Sequence, residues 1–114
     1  MEESILNTIK VLVGVDENYT AFDTDIITGI NTALATLHEL GVGPTNGLQI
    51  VDASTLWSEF VESSTLLGLC KQYISLKTRL IFDPPTNSTV IENINGSIRE
   101  LEWRIVNHNK VVSA

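Results

Sequence analysis

The chain has 114 residues, 14 acidic and seven basic, for a net charge of −7. One domain around one hydrophobic core is the expectation at this length, and the acidic balance argues against a surface built to grip phosphate backbones or anionic membranes, which need clustered Lys and Arg. The single cysteine, Cys70, excludes an internal disulfide and a cysteine zinc site, and His38 and His108 lack metal-ligand spacing.

The start, Met1-Glu2-Glu3-Ser4, is acidic where a signal peptide is basic, and no apolar run approaches a membrane span, so a soluble protein made in a cytoplasm is expected. A first helix is predicted near 4–13, with Ile5, Ile9, Leu12 and Val13 on one face, Ser4 as N-cap and Gly14 as the stop. A second, near 23–40, has Asp23 as N-cap, a Phe22–Ile27 staple and the stripe Ile26, Ile30, Ala33, Leu37, Leu40. Its end, Leu40-Gly41-Val42, reads as a Schellman stop with Val42 packed back on Leu37.

Gly41 to Thr55 reads as loop, punctuated by Pro44 and Asn46-Gly47, with Leu48 to Val51 as a short extended piece. Ser54 or Thr55 is placed to cap a short helix near 56–61 that carries Trp57 and Phe60. The third helix, near 64–82, has two apolar stripes and is stopped by Asp83-Pro84-Pro85. The fourth, near 89–106, opens on the capping-box pattern Thr89-x-x-Glu92 and carries the seam Ile91, Ile94, Ile98, Leu101, Ile105.

The expected fold class is therefore all-α: a small helical bundle of four main helices plus a short helix, the third and fourth forming an antiparallel hairpin. Residues 1–106 form the single helical domain, and 107–114 a flexible C-terminal tail. The expected core includes Ile30, Leu34, Leu37, Leu69, Tyr73, Leu76, Ile94, Ile98 and Leu101.

Charge divides along the chain. Residues 1–62 hold ten acids and one base, Lys10; residues 63–114 hold four acids and six bases. Two readings stand: an acidic half and a basic half that associate between copies, or ordinary solvated helix faces. If copies associate, the basic partners are among Lys71, Lys77, Arg79, Arg99 and Arg104.

No catalytic motif is present: no Gly-rich phosphate loop, no HExxH, no G-x-S-x-G. No enzyme, cofactor or metal is expected. The acidic group Asp16, Glu17, Asp23, Asp25 departs from the EF-hand pattern and reads as caps plus a solvated linker. Cys70 falls in the apolar pattern of the third helix and reads as a buried thiol, and His38 sits where a helix end favours positive charge. Trp57 reads as core. Trp103 falls off the fourth-helix seam among charged neighbours, which suits either a contact anchor or a side chain under the 41–55 loop. Lys110, Val111 and Val112 give the terminal segment an apolar content that a purely solvated tail does not need.

The run Tyr73-Ile74-Ser75-Leu76-Lys77-Thr78-Arg79-Leu80-Ile81-Phe82-Asp83-Pro84-Pro85-Thr86, followed by Ile98-Arg99-Glu100-Leu101-Glu102-Trp103-Arg104, resembles the head–tail connector (adaptor, or head-completion) proteins of long-tailed bacteriophages and prophages. The stretch Ile30 to Gly43 and the segment Leu56-Trp57-Ser58-Glu59-Phe60 fit the same family in the same order. The resemblance implies a structural virion protein at the head–tail interface, assembled in the host bacterial cytoplasm. Its implied partners are the portal protein, further copies in a ring beneath the portal, and the next head-closure (stopper) or tail connector; DNA passes through the channel as cargo. Two other classes stay open on the residues alone. One is a small helical DNA-binding regulator, disfavoured by the lack of a basic recognition face. The other is a metal-binding enzyme using the acidic N-terminal cluster.

Overall fold

Helix α1 (Ile5–Leu12) is followed by α2 (Asp23–Glu39), a 3-10 turn at Trp57–Glu59, α3 (Ser64–Phe82) and α4 (Ser88–Ser113). This is a computed structural model that describes residues 3–113, with side chains for 3–109. Among the described residues there is no strand, only an isolated antiparallel bridge between Ser4 and Leu56. The chain is thus the small all-α bundle expected from its periodicity.

Helix ends follow local chemistry. Ser4 Oγ accepts from Asn7 N–H at 3.3 Å and Ser63 Oγ from Leu66 N–H at 3.4 Å, each satisfying an orphan donor of a first turn. At the second helix the cap position is Phe22; Asp23, expected there, lies one residue inside and turns its carboxylate to Lys10. At the fourth helix Asn87, not Thr89, is the cap: its Oδ1 accepts from the N–H groups of Thr89 and Val90 at 2.8 and 3.3 Å. The stop at α2 is as expected. Gly41 takes φ +86°, and Val42 N–H reaches back to Leu37 O at 2.9 Å. Gly14 does the same for α1, with Val15 N–H on Lys10 O at 2.8 Å.

The α2–α3 crossing is the centre of the molecule. Ile26, Ile30, Ala33, Leu34 and Leu37 of α2 meet Cys70, Ile74 and Thr78 of α3, all essentially inaccessible. Gly29 permits the close approach: a Cβ there would lie 3.0 Å from Thr78 Cα. Helix α1 packs on α2 and α3 through Ile5, Leu6 and Ile9, and α4 packs on α3 through Ile94, Ile98, Leu101 and Ile105. Tyr73 donates its hydroxyl to Glu102 Oε2 at 2.7 Å, bridging α3 and α4. Asn109, near the end of α4, lines one groove with Ser63 and Leu66 at the start of α3, so the two helices run antiparallel.

Leu69 and Leu76, expected in the core, are only half-buried. Their stripe faces the α4 side of α3, where a single helix gives cover, whereas the Cys70–Ile74–Thr78 stripe is sealed by α2. Leu12 also departs from expectation. The inward face of α1 is Ile5, Leu6, Ile9 and Lys10, which leaves Leu12 54% exposed.

The 41–55 connection has no regular structure, and Leu48 to Val51 forms no strand. Asn31 of α2 plays the neighbouring strand's part. Its amide donates to Ile50 O at 3.0 Å and its carbonyl accepts from Ile50 N–H at 2.8 Å, seating Ile50 in the core. The expected short helix is reduced to the turn at Trp57–Glu59, where Glu59, rather than Ser54 or Thr55, satisfies the opening N–H, that of Leu56, at 2.7 Å. Trp57 is buried, and its indole N–H donates to Thr8 Oγ1 at 3.0 Å.

Helix α4 continues past its expected end at 106 to Ser113. No Gly or Pro interrupts residues 97–113. Asn109 Nδ2 also donates to Gly41 O at 3.0 Å, tying this extension to the end of α2.

Candidate interaction surface

The seam of α4 faces α3, so residues midway between seam positions form an outward ridge. Trp103 stands on that ridge and is 69% exposed, which excludes a place under the 41–55 loop. Arg99 lies one turn before it and is exposed; Asn107, one turn after, donates to Trp103 O at 2.7 Å. Gly96 continues the ridge, and a Cβ there would meet only Arg99 Nη2, at 3.9 Å. Arg104 is turned to the side and pairs with Glu100 at 3.3 Å, an exposed pair of little energetic weight.

The bases of α3 are not gathered with these. Lys71 reaches the segment before α1, with Nζ 3.6 Å from Glu3 Oε2 and 5.4 Å from the centre of the Trp57 ring. Lys77 lies 5.7 Å from the centre of the Tyr73 ring. Arg79 is exposed near the α3–α4 turn. Of the expected interface set, the structure therefore brings Arg99 and Trp103 together on one ridge with Arg104 beside them, and places Lys71 and Lys77 on intramolecular contacts. The side chains of Lys110, Val111 and Val112 lie outside the described residues.

The acidic half has one internal cation. Lys10 is 1% exposed, pairs with Asp23 Oδ1 at 2.7 Å and donates to Glu17 O at 3.0 Å. It thereby pins the 13–22 connector onto α1. Asp16 Oδ1 accepts from Asn18 N–H at 2.8 Å, while Asp25 is exposed. The quartet thus supplies an ion pair and a turn, and among the described residues no group of three or more His, Cys, Asp or Glu is placed to hold a metal.

Two apolar surfaces escaped the sequence reading. Along α1, the exposed Val11 and Leu12 line an open groove of about 430 Å³ together with Ser4, Asn7 and Thr8, with Glu3 and Glu17 also bordering it. Just past the C-terminal end of α1, Tyr19, Phe22 and Phe82 pack at a tilt with ring centres 5.4 and 5.2 Å apart. The amphipathic pattern of α1 was the available signal for the first. The second joins residues some sixty positions apart and had none.

Titration is perturbed where the bundle is driest. Burial pushes the Cys70 thiol up to about 12, so it stays protonated and unreactive. Burial, and then the hydrogen bond to Glu102, raise the Tyr73 phenol above its ordinary range. Asp52 is held low by the Ser54 hydroxyl and then by the Ser54 N–H.

A family model described as phage connector protein matches residues 5–111, from the first residue of α1 nearly to the end of α4. The chain belongs to the phage connector protein family. Comparison with curated proteins and with solved structures gives no match. The family assignment agrees with the all-helical bundle, and among the described residues no helix of this connector is long and apolar enough to cross a membrane.

Proposed function

We propose that the chain is a structural head–tail connector, an adaptor that joins the portal of a DNA-filled phage head. In this reading copies form a ring beneath the portal, extend the DNA channel, and offer the next head-closure or tail component its docking surface. The observation that carries it is the family match across residues 5–111, which takes in all four helices. Two features of the surface support it. The first 62 residues carry ten acids against one base, and that base is buried, so this half repels DNA that slides past it. The α4 ridge presents Trp103 at 69% exposure, and Trp is among the side chains enriched as energetic anchors between proteins.

The role ascribed to the chain is assembly and channel wall, with no bond-breaking step. The test uses purified full-length protein added to DNA-filled, tailless heads of the phage that encodes it. Electron microscopy should show added density beneath the portal, and the heads should become competent to accept tails. Heads that reach the same competence without the protein remove the reading.

The terminal segment 107–114, with Lys110, Val111 and Val112, is the part proposed to reach the portal. Removing it should leave the helical signal of residues 3–106 in place and sharply reduce binding to heads. Undiminished binding moves the portal contact onto the other helices.

A further inference from the structure

The start of α1, which borders the groove, and helix α4, which carries the ridge, meet α3 on different sides. Lys71, which reaches Glu3 just before α1, and Tyr73, which reaches Glu102 of α4, are two residues apart on α3. With 3.6 residues per turn, that spacing sends them to opposite sides of the helix. One copy therefore cannot close its own ridge onto its own groove, whereas the ridge of one copy can meet the groove of a second.

The chemistry of the two surfaces is complementary. The groove presents two exposed apolar side chains, Val11 at 59% and Leu12 at 54%, beside the small polar Ser4, Asn7 and Thr8, and Glu17 also lines it. Lys10, the base nearest in sequence, is buried and committed to Asp23, so it does not offset Glu17 at the surface. The second rim acid, Glu3, is already met by Lys71. The ridge offers a flat aromatic, Trp103, with the cation of Arg99 one turn away and the bare backbone of Gly96 one turn further. A groove of about 430 Å³ accommodates an indole ring.

Resting on the connector reading above, we propose that a second copy of this chain seats its Trp103 in the α1 groove, with its Arg99 at Glu17. Because the two surfaces differ, the contact is heterologous: each copy uses its ridge on one neighbour and its groove on the other. Repetition of such a contact closes into a ring when the rotation per step permits. Like-to-like pairing through the groove is opposed by the acidic half that surrounds it.

The test is sedimentation velocity of the full chain over a concentration series, with circular dichroism as the control for folding. Association of the wild type should increase with concentration. Trp103→Ala and Leu12→Glu, both at exposed positions, should each weaken it by about 30-fold or more, as expected for loss of a central anchor. An equimolar mixture of these two variants keeps one intact ridge and one intact groove, so it should form dimers and stop there. Arg99→Glu and Glu17→Lys should each weaken association, and the two combined in one chain should restore it. Any of three results overturns the proposal: a wild type that remains monomeric at about 1 mM, single variants that associate like the wild type, or a mixture that forms no dimer.

Head-binding assays separate this from the connector role. Trp103→Ala rings assembled on heads as efficiently as wild type remove the contact and leave the role. Wild-type chains that associate through the ridge and groove but ignore heads remove the role and leave the contact. Trp103→Ala chains that associate normally yet fail to bind heads give the ridge to another virion protein and overturn the proposal.

Discussion

Helices α2 and α4 both pack on α3, yet they do so differently. The inward residues of α2, Ile26, Ile30, Ala33, Leu34 and Leu37, are at most 1% exposed, whereas along α4 only Ile105 is fully sealed and Ile94, Ile98 and Leu101 are 7–8% exposed. Helix α2 is held from several sides, by α3, by α1 and by the 41–55 loop that Asn31 clamps. Helix α4 is held along one stripe, with Tyr73–Glu102 as a polar rivet and Asn109–Gly41 near its end. One pair of helices thus carries stability, while the other helix keeps a long free face. A small protein that must hold its shape while offering surface to several partners gains from this division.

The widest test of that contrast is truncation on each side of α3. Leu34→Ala, in the sealed layer, should cost about 2–5 kcal/mol in denaturant unfolding. Leu76→Ala, on the half-covered α4 side, should cost about half as much, because part of its surface is already in water. Equal costs would mean that the two layers are equally dry.

The sealed layer also sets an alkaline limit. The Cys70 thiol titrates at about 12 in the folded chain against 9.0 as its ordinary value, so between these the unfolded chain loses the proton first. Its contribution is complete below pH 9 and is lost as pH rises toward 12, which lowers stability with rising pH. The Tyr73 phenol, also raised, acts in the same direction at higher pH. Melting curves across this range should flatten in Cys70→Ala relative to wild type; an unchanged slope would place the thiol in contact with water.

Glycines give the two smaller tests, of opposite sign. Gly29→Ala pushes a methyl group within 3.0 Å of the Thr78 backbone and should destabilise by about 1–3 kcal/mol. Gly96→Ala adds a methyl group that meets only Arg99, on the free face of α4, and should stabilise by up to about 1 kcal/mol through helix propensity. Thermal melts of the pair decide whether the close approach lies at α2–α3 alone.

Helix positions and fold class were legible because strong periodicity coincided with clear stops: Gly41 follows the end of the α2 stripe and Pro84-Pro85 the end of α3. What the sequence left ambiguous were choices between adjacent candidates. Asn87 and Thr89 are both good caps, and only the path of the chain after the prolines selects Asn87. Nothing in the sequence marks Lys10 as buried, because its partners, Glu17 O in the connector and Asp23 at the start of α2, share no pattern with it. With Lys10 turned inward, Leu12 is rotated outward, and the α1 groove goes unseen with it. For Trp103, counting along the seam placed it off the α3 face but left open whether the 41–55 loop covers it; its 69% exposure decides for the outside. The Asn31–Ile50 clamp has no sequence signature, an asparagine on a helix being ordinary until a loop is seen to lie against it.

The burial of Lys10 also changes how the chain meets a protease. Trypsin cleaves after Lys or Arg, and between residue 1 and Lys71 this sequence contains only Lys10. With that side chain 1% exposed and ion-paired, the native first seventy residues offer trypsin no ready bond. A cut after Lys10 therefore requires α1 to lift from the bundle, so the rate at which this one peptide bond is lost measures a local opening free energy. The sequence has in effect placed a built-in reporter at the foot of α1, readable by mass without a label.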